Sequence, residues 1–240
     1  MGEATVKVPG YAHGYPGVAF GGYVAGVLAA HSAEPAELRV DFRAPVPIDT
    51  ELTVRADEAD ARVLSDADGL VLARTAKASV TIAVPPMPSW AQAQAATEAT
   101  RTGARRRTNC YGCGVETEPG RGMRLFTSQV PGRDLIAGAW TPDPLLGRAD
   151  GTLAPEQVWS LLDCPGGWAA MTMLDMPAGA VTAALTATQL RPVSVGADYL
   201  SFAWTAGRDG RKFTVGVALA TPDGELCALS EALWIAPRGS

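Results

Sequence analysis

Gly17-Val18-Ala19-Phe20-Gly21-Gly22 runs straight into the apolar stretch Tyr23 to His31, and Gly151-Thr152-Leu153-Ala154-Pro155-Glu156 runs into Gln157 to Asp163. Each is a glycine turn opening a helix; Pro155 falls near the first helical turn, where its missing N–H costs nothing. The segments after the two helices also match. The first copy continues with Phe42-Arg43-Ala44-Pro45-Val46-Pro47-Ile48-Asp49 and the alternating Glu51 to Ala56, the second with Gln189-Leu190-Arg191-Pro192-Val193-Ser194-Val195-Gly196 and Asp198 to Ala203. Hairpin turns at Asp68-Gly69 and Asp223-Gly224 lead into last strands expected over Leu70 to Val84 and Leu226 to Ile235. One apolar helix followed by antiparallel strands predicts a sheet wrapped around that helix. The chain reads as α+β, with two copies of this unit.

Between the copies the composition shifts. Pro85-Pro86-Met87-Pro88 is followed by an Ala/Gln/Thr-rich stretch, with a helical turn expected from Gln92 to Glu98, and then by Arg105-Arg106-Arg107. This predicts an N-terminal unit over 1–84, a linker over 85–108 and a C-terminal unit over 109–240. The arginines read as a solvated face, with a nucleotide 3'-phosphate as the alternative partner.

The 240 residues are 47% hydrophobic and 19% charged, a globular composition and not a disordered one. A net charge of -5, from 20 Lys+Arg against 25 Asp+Glu, argues against nucleic acid or an acidic membrane as partner. Val18 to Ala30, the longest strongly apolar run, is 13 residues broken by three glycines, short of the roughly 18 that suggest a span. Met1-Gly2-Glu3-Ala4 has neither a basic nor an apolar leader region, so the expected location is cytoplasmic.

No nucleophile elbow, phosphate-binding loop, dinucleotide fingerprint or paired-histidine zinc motif is present, and the only histidines are His13 and His31. Any catalysis must therefore come from carboxylates and backbone amides. Four cysteines (Cys110, Cys113, Cys164, Cys227) make no disulfide framework in a chain of this length. Cys110-Tyr111-Gly112-Cys113 has metal-knuckle spacing but wants two more ligands, so the expectation is a reduced turn with no metal and well under one zinc per chain.

The order Gly17-x-x-Phe20-Gly21-Gly22, apolar helix, Ala44-Pro45-Val46-Pro47 resembles the hotdog-fold acyl-CoA thioesterases, especially the phenylacetate-pathway type. Asn109-Cys110-Tyr111-Gly112-Cys113-Gly114, with Pro119-Gly120 and Gly122-Met123, is similar to the cysteine-containing turn that opens many such domains. The resemblance implies a double hotdog, its two antiparallel sheets forming one continuous sheet and each half wrapped around a long helix. It also implies hydrolysis of a small-molecule acyl thioester, with coenzyme A entering as part of the substrate and no separate cofactor. Such a chain supplies its own pseudo-dimer; a further homodimer is compatible and not required.

The departures from the family pattern, Gly-x-x-His-Gly-Gly and an Asp nine residues after the His, are informative. Phe20 replaces the His, Gly21-Gly22 remain, and Ala29 stands where the acid belongs. In the second copy Ala154-Pro155-Glu156 replaces His-Gly-Gly, yet Asp163 stands nine residues on. Nine residues of helix span about 13 Å at 1.5 Å per residue, too far for both groups of one copy to reach one carbonyl. The resemblance implies antiparallel helices that exchange partners: Gly21-Gly22 with Asp163 as one complete site, Glu156 with Ala29 as a dead one. The Gly22 amide, with Gly21, would then be the oxyanion donor and Asp163 the base or nucleophile, with a carbonyl fitting between them.

Structural roles compete with each assignment. Gly21-Gly22 also permit close helix packing. Asp163 also suits a helix end, since Pro165-Gly166-Gly167 follow. Trp159, four residues before Asp163, is a candidate for lining an acyl pocket or a core residue. Phe20 and His13 complete the substrate-contact candidates. Cys164 reads as a buried apolar cysteine and Glu156 as an acid facing the helix dipole. The competing function is a non-catalytic acyl-thioester-binding protein; a hydratase ranks behind both, because neither copy places a His shortly after the Asp.

Overall fold

The computed structural model describes residues 3–33, 37–103 and 108–238, so Arg105-Arg106-Arg107 lie outside the described residues. In chain order the elements are β1 (Ala4–Lys7), β2 (His13–Tyr15), β3 (Val18–Ala19), α1 (Gly21–Ala30), β4 (Glu37–Phe42), β5 (Glu51–Ala56), β6 (Arg62–Ser65) and β7 (Val71–Ala76). The chain continues with α2 (Trp90–Thr102), β8 (Ser128–Gln129), β9 (Ile136–Trp140), α3 (Pro155–Leu161), α4 (Cys164–Met173), β10 (Val181–Gln189), β11 (Tyr199–Asp209), β12 (Lys212–Ala220) and β13 (Leu226–Ile235).

Eleven strands form one antiparallel sheet in the order β1-β5-β6-β7-β4-β10-β13-β12-β11-β9-β8. Read outward from its middle, β4-β7-β6-β5-β1 on one side is matched by β10-β13-β12-β11-β9 on the other. The seam is the β4–β10 pair, in which Val40 faces Leu185 and Leu38 faces Ala187. The proline-marked stretches begin where β4 and β10 end: Pro45 and Pro192 have no N–H for a ladder, so both central strands leave the sheet there.

α1 is apolar all round, as a helix enclosed on every side must be; Gly22 and Val24 through Ala29 are buried. Its last turn is closed by Arg62, whose Nε donates to the His31 carbonyl at 2.6 Å. α1 lies against α3 in antiparallel sense, since Gly22 touches Ser160 while Gly26 touches Glu156. A Cβ on Gly26 would sit 2.3 Å from the Glu156 Cα and 2.5 Å from the Pro155 carbonyl oxygen. Bare backbone at Gly26 therefore sets the helix spacing. The main core, including Leu28, Val40, Leu52, Leu161, Leu185 and Phe213, draws on both halves.

Three details differ from expectation. The strand expected over Leu70 to Val84 stops at Ala76, opposite Arg39 in β4. Beyond it the chain crosses to the second half, where Thr81 donates to Glu231 and Ile82 packs with Trp204. The linker holds a full helix rather than one turn: Ser89 and Gln92 close a capping box, and α2 covers a second core of Ala93, Leu135, Phe202, Trp204 and Ala218. The helix expected from Gln157 to Asp163 starts two residues early, at Pro155, and ends at Leu161.

Candidate active site

Asp163 occupies the break between α3 and α4. Pro165 lacks an N–H and its ring would meet the carbonyl four residues back, so α3 cannot run on. Asp163 becomes the residue before α4, but its side chain does not cap that helix. The carbonyl of Leu162, freed by the break, accepts a hydrogen bond from the Ser230 hydroxyl at 2.7 Å.

The carboxylate points to the other half of the molecule. Gly22 N–H donates to Asp163 Oδ2 at 2.7 Å across 141 residues of sequence, and the Thr182 hydroxyl donates to Oδ1, also at 2.7 Å. Asp163 is only 1% exposed. Burial raises its pKa to about 6, against the opposing pull of the Thr182 and Gly22 hydrogen bonds. Gly22 can approach because it has no side chain: a Cβ there would lie 2.7 Å from the Ser160 Cα and 3.0 Å from the Asp163 Cβ. Gly21 also lies close against the acid. A Cβ on it would stand 3.0 Å from Oδ2 and 3.5 Å from the Thr182 hydroxyl oxygen, and Gly21 is only partly buried.

Gly22 and Asp163 thus meet, but without the space expected between them. The amide hydrogen bonds directly to the carboxylate, so in this arrangement Gly22 holds the acid and does not present a donor to a carbonyl. The corresponding position in the second pairing has no such contact: Ala29 is fully buried and carries no acid.

Of the substrate-contact candidates, Trp159 adjoins Gly22 through its carbonyl and Phe20 directly precedes Gly21. Phe20, 4% exposed, precedes α1 and packs on Tyr111 with ring centroids 6.0 Å apart. Trp159 is enclosed in the main core, so packing and not an open pocket accounts for it. The His13 ring bonds the Gly10 carbonyl at 2.9 Å and lines a hollow of about 310 Å³ with Tyr11, Asn109, Thr117, Glu118 and Arg121. Asp163 does not line that hollow.

Sequence reasoning missed two neighbours. Thr182 sits in β10, where a threonine is commonplace; only the fold brings it to the acid. Tyr15, 42% exposed, donates from its hydroxyl to the Ala180 carbonyl at 2.7 Å, tying β2 to the entry of β10.

No protein-family model matches the chain, and no curated protein does. Solved structures do. A conserved protein of unknown function with hot dog fold from Alicyclobacillus acidocaldarius superposes with a TM-score of 0.67 at 15% identity, covering 100% of this chain and 94% of the other. The chain has the hotdog fold. A tesB protein of Mycobacterium avium subs paratuberculosis is also similar, with a TM-score of 0.63, 12% identity and coverage of 98% and 93%. The hotdog unit occurs twice here, and both copies share the one continuous sheet. Among the described residues no helix is long and apolar enough to cross a membrane.

Proposed function

We propose that the protein hydrolyses an acyl-CoA or a related acyl thioester at a single composite site, with Asp163 from the second hotdog unit and the start of α1 from the first. The observation that carries this reading is the carboxylate held by Gly22 N–H and the Thr182 hydroxyl. The solved structures similar in fold include a tesB protein, and others carry the name thioesterase. Each carboxylate oxygen accepts one hydrogen bond and keeps a second lone pair, which suits taking a proton from water with the carboxylate left in place. Asp163 is therefore assigned as general base and Gly22 and Thr182 as the groups that position it. The thioester carbonyl approaches from the side of Gly21, which is only partly buried. The Gly21 amide, first in α1 and so without an intrahelical acceptor, takes the oxyanion role expected of Gly22. Hydroxide character develops on the water as Asp163 takes its proton, the carbonyl carbon is attacked, and the tetrahedral intermediate expels the thiolate.

The direct Gly22–Asp163 bond and the burial of the acid favour one competing reading, a hotdog protein that binds an acyl thioester without cleaving it. Release of free thiol from a panel of short, long and aromatic acyl-CoAs separates the two. Turnover of any member supports hydrolysis. Saturable binding by calorimetry with no thiol release supports the binder.

A further inference from the structure

Cys110 and Cys113 close one turn, and Cys164 opens α4 directly behind Asp163. Their three sulfur atoms all lie within 4.8 Å of one another. The sequence expectation of a metal-free turn counted two thiols; the fold delivers a third. No disulfide links any of them, and they are 9%, 4% and 8% exposed.

The convergence is built. A Cβ on Gly112 would lie 2.9 Å from the Cys164 Cβ and 2.8 Å from the Phe20 ring, so only glycine lets the turn rest on α4. Backbone bonds from Tyr111 to the His13 carbonyl (2.9 Å) and from Met123 to the Tyr111 carbonyl (2.8 Å) pin the turn from both sides. The indole N–H of Trp168, one turn along α4, donates to the Cys113 sulfur at 3.2 Å. A donor aimed at a sulfur is what orients and stabilises a thiolate ligand. Zinc–sulfur bonds of about 2.3 Å in tetrahedral array place sulfurs about 3.8 Å apart, so a cluster within 4.8 Å closes on an ion with small side-chain movements. A disulfide joins two sulfurs and leaves the third idle, whereas one ion can take all three.

We propose that Cys110, Cys113 and Cys164 bind one zinc ion, with a non-protein ligand in the fourth position. The three thiols give up their protons to solvent as three zinc–sulfur bonds form, and with a neutral water as the fourth ligand the complex carries one net negative charge. The ion ties the cysteine turn to the first residue of α4 and so fixes the helix break that carries Asp163. The site stands whether or not the protein is a hydrolase, and its test needs no activity.

The full chain is purified under reducing conditions without chelator, incubated with equimolar zinc and desalted. Elemental analysis is expected to find about one zinc per chain. Cobalt in place of zinc is expected to give an intense near-ultraviolet thiolate charge-transfer band. Cys113→Ser and Cys164→Ser should each lose most of the metal, and Cys227→Ser, outside the cluster, should keep it. If the serine variants fail to fold, the cobalt spectrum of the unmodified chain still decides. Below about a tenth of an equivalent of zinc with no charge-transfer band, the proposal fails. An intact mass lighter by two hydrogens in the absence of reductant, with no metal bound, also overturns it in favour of a disulfide.

Discussion

Thr182 has one visible task, the hydrogen bond that its hydroxyl donates to Asp163 Oδ1. Valine in its place keeps the shape and removes the donor. A hydrogen bond to a charged group contributes about 1.5–3 kcal/mol, and each 1.4 kcal/mol is about tenfold in rate. Thr182→Val is therefore expected to lower kcat/KM about 10- to 100-fold, and Thr182→Ser to restore most of it. Full turnover by the valine variant would show that this hydrogen bond does not serve catalysis. Asp163 and Gly22 were legible as partners because each copy of the repeat keeps what the other lacks. Thr182 was not legible: strand alternation says which face a threonine takes, not which carboxylate it meets. The same holds for Cys164, whose meeting with the cysteine turn depends on Gly112 and on the course of α4.

α1 and α3 touch backbone to backbone at Gly26. A methyl group there would lie 2.3 Å from the Glu156 Cα and 2.5 Å from the Pro155 carbonyl oxygen, neither of which can swing aside. Alanine is better than glycine within a helix by about 1 kcal/mol, yet the helices must part to admit it. Gly26→Ala is expected to destabilise the chain by about 1–3 kcal/mol, seen as a lower Tm in thermal unfolding. An unchanged or higher Tm would mean that the two helices are not in close register. Apolar runs and the Asp-Gly turns mark α1, most of α3 and both hairpins in the sequence, but nothing in it marks α4. The capping box of Ser89 and Gln92 is the helix signal in an otherwise Ala-rich stretch. The early end of β7 has no local signal; its pairing stops at Ala76 opposite Arg39, and pairing is a non-local property.

The two hotdog units share one sheet through β4 and β10 and one main core. Neither half can open without exposing the face of the other. Calorimetry is therefore expected to show one unfolding transition, with calorimetric and van't Hoff enthalpies equal; two resolved transitions would contradict the shared core. The site belongs to this scale as well, because its glycines come from one unit and its acid from the other. Asparagine at 163 preserves that meeting: its oxygen accepts from Gly22 N–H and its amide donates to the Thr182 oxygen. It removes a charge from a place 1% exposed, so stability should hold or rise. It also removes the base. The deciding measurement is thiol release by Asp163→Asn beside the unaltered chain, on whichever acyl-CoA that chain cleaves fastest, with Tm taken on the same samples. A fall of at least about 100-fold with Tm unchanged or higher is the result expected of a catalytic acid built from two halves; undiminished turnover would contradict it.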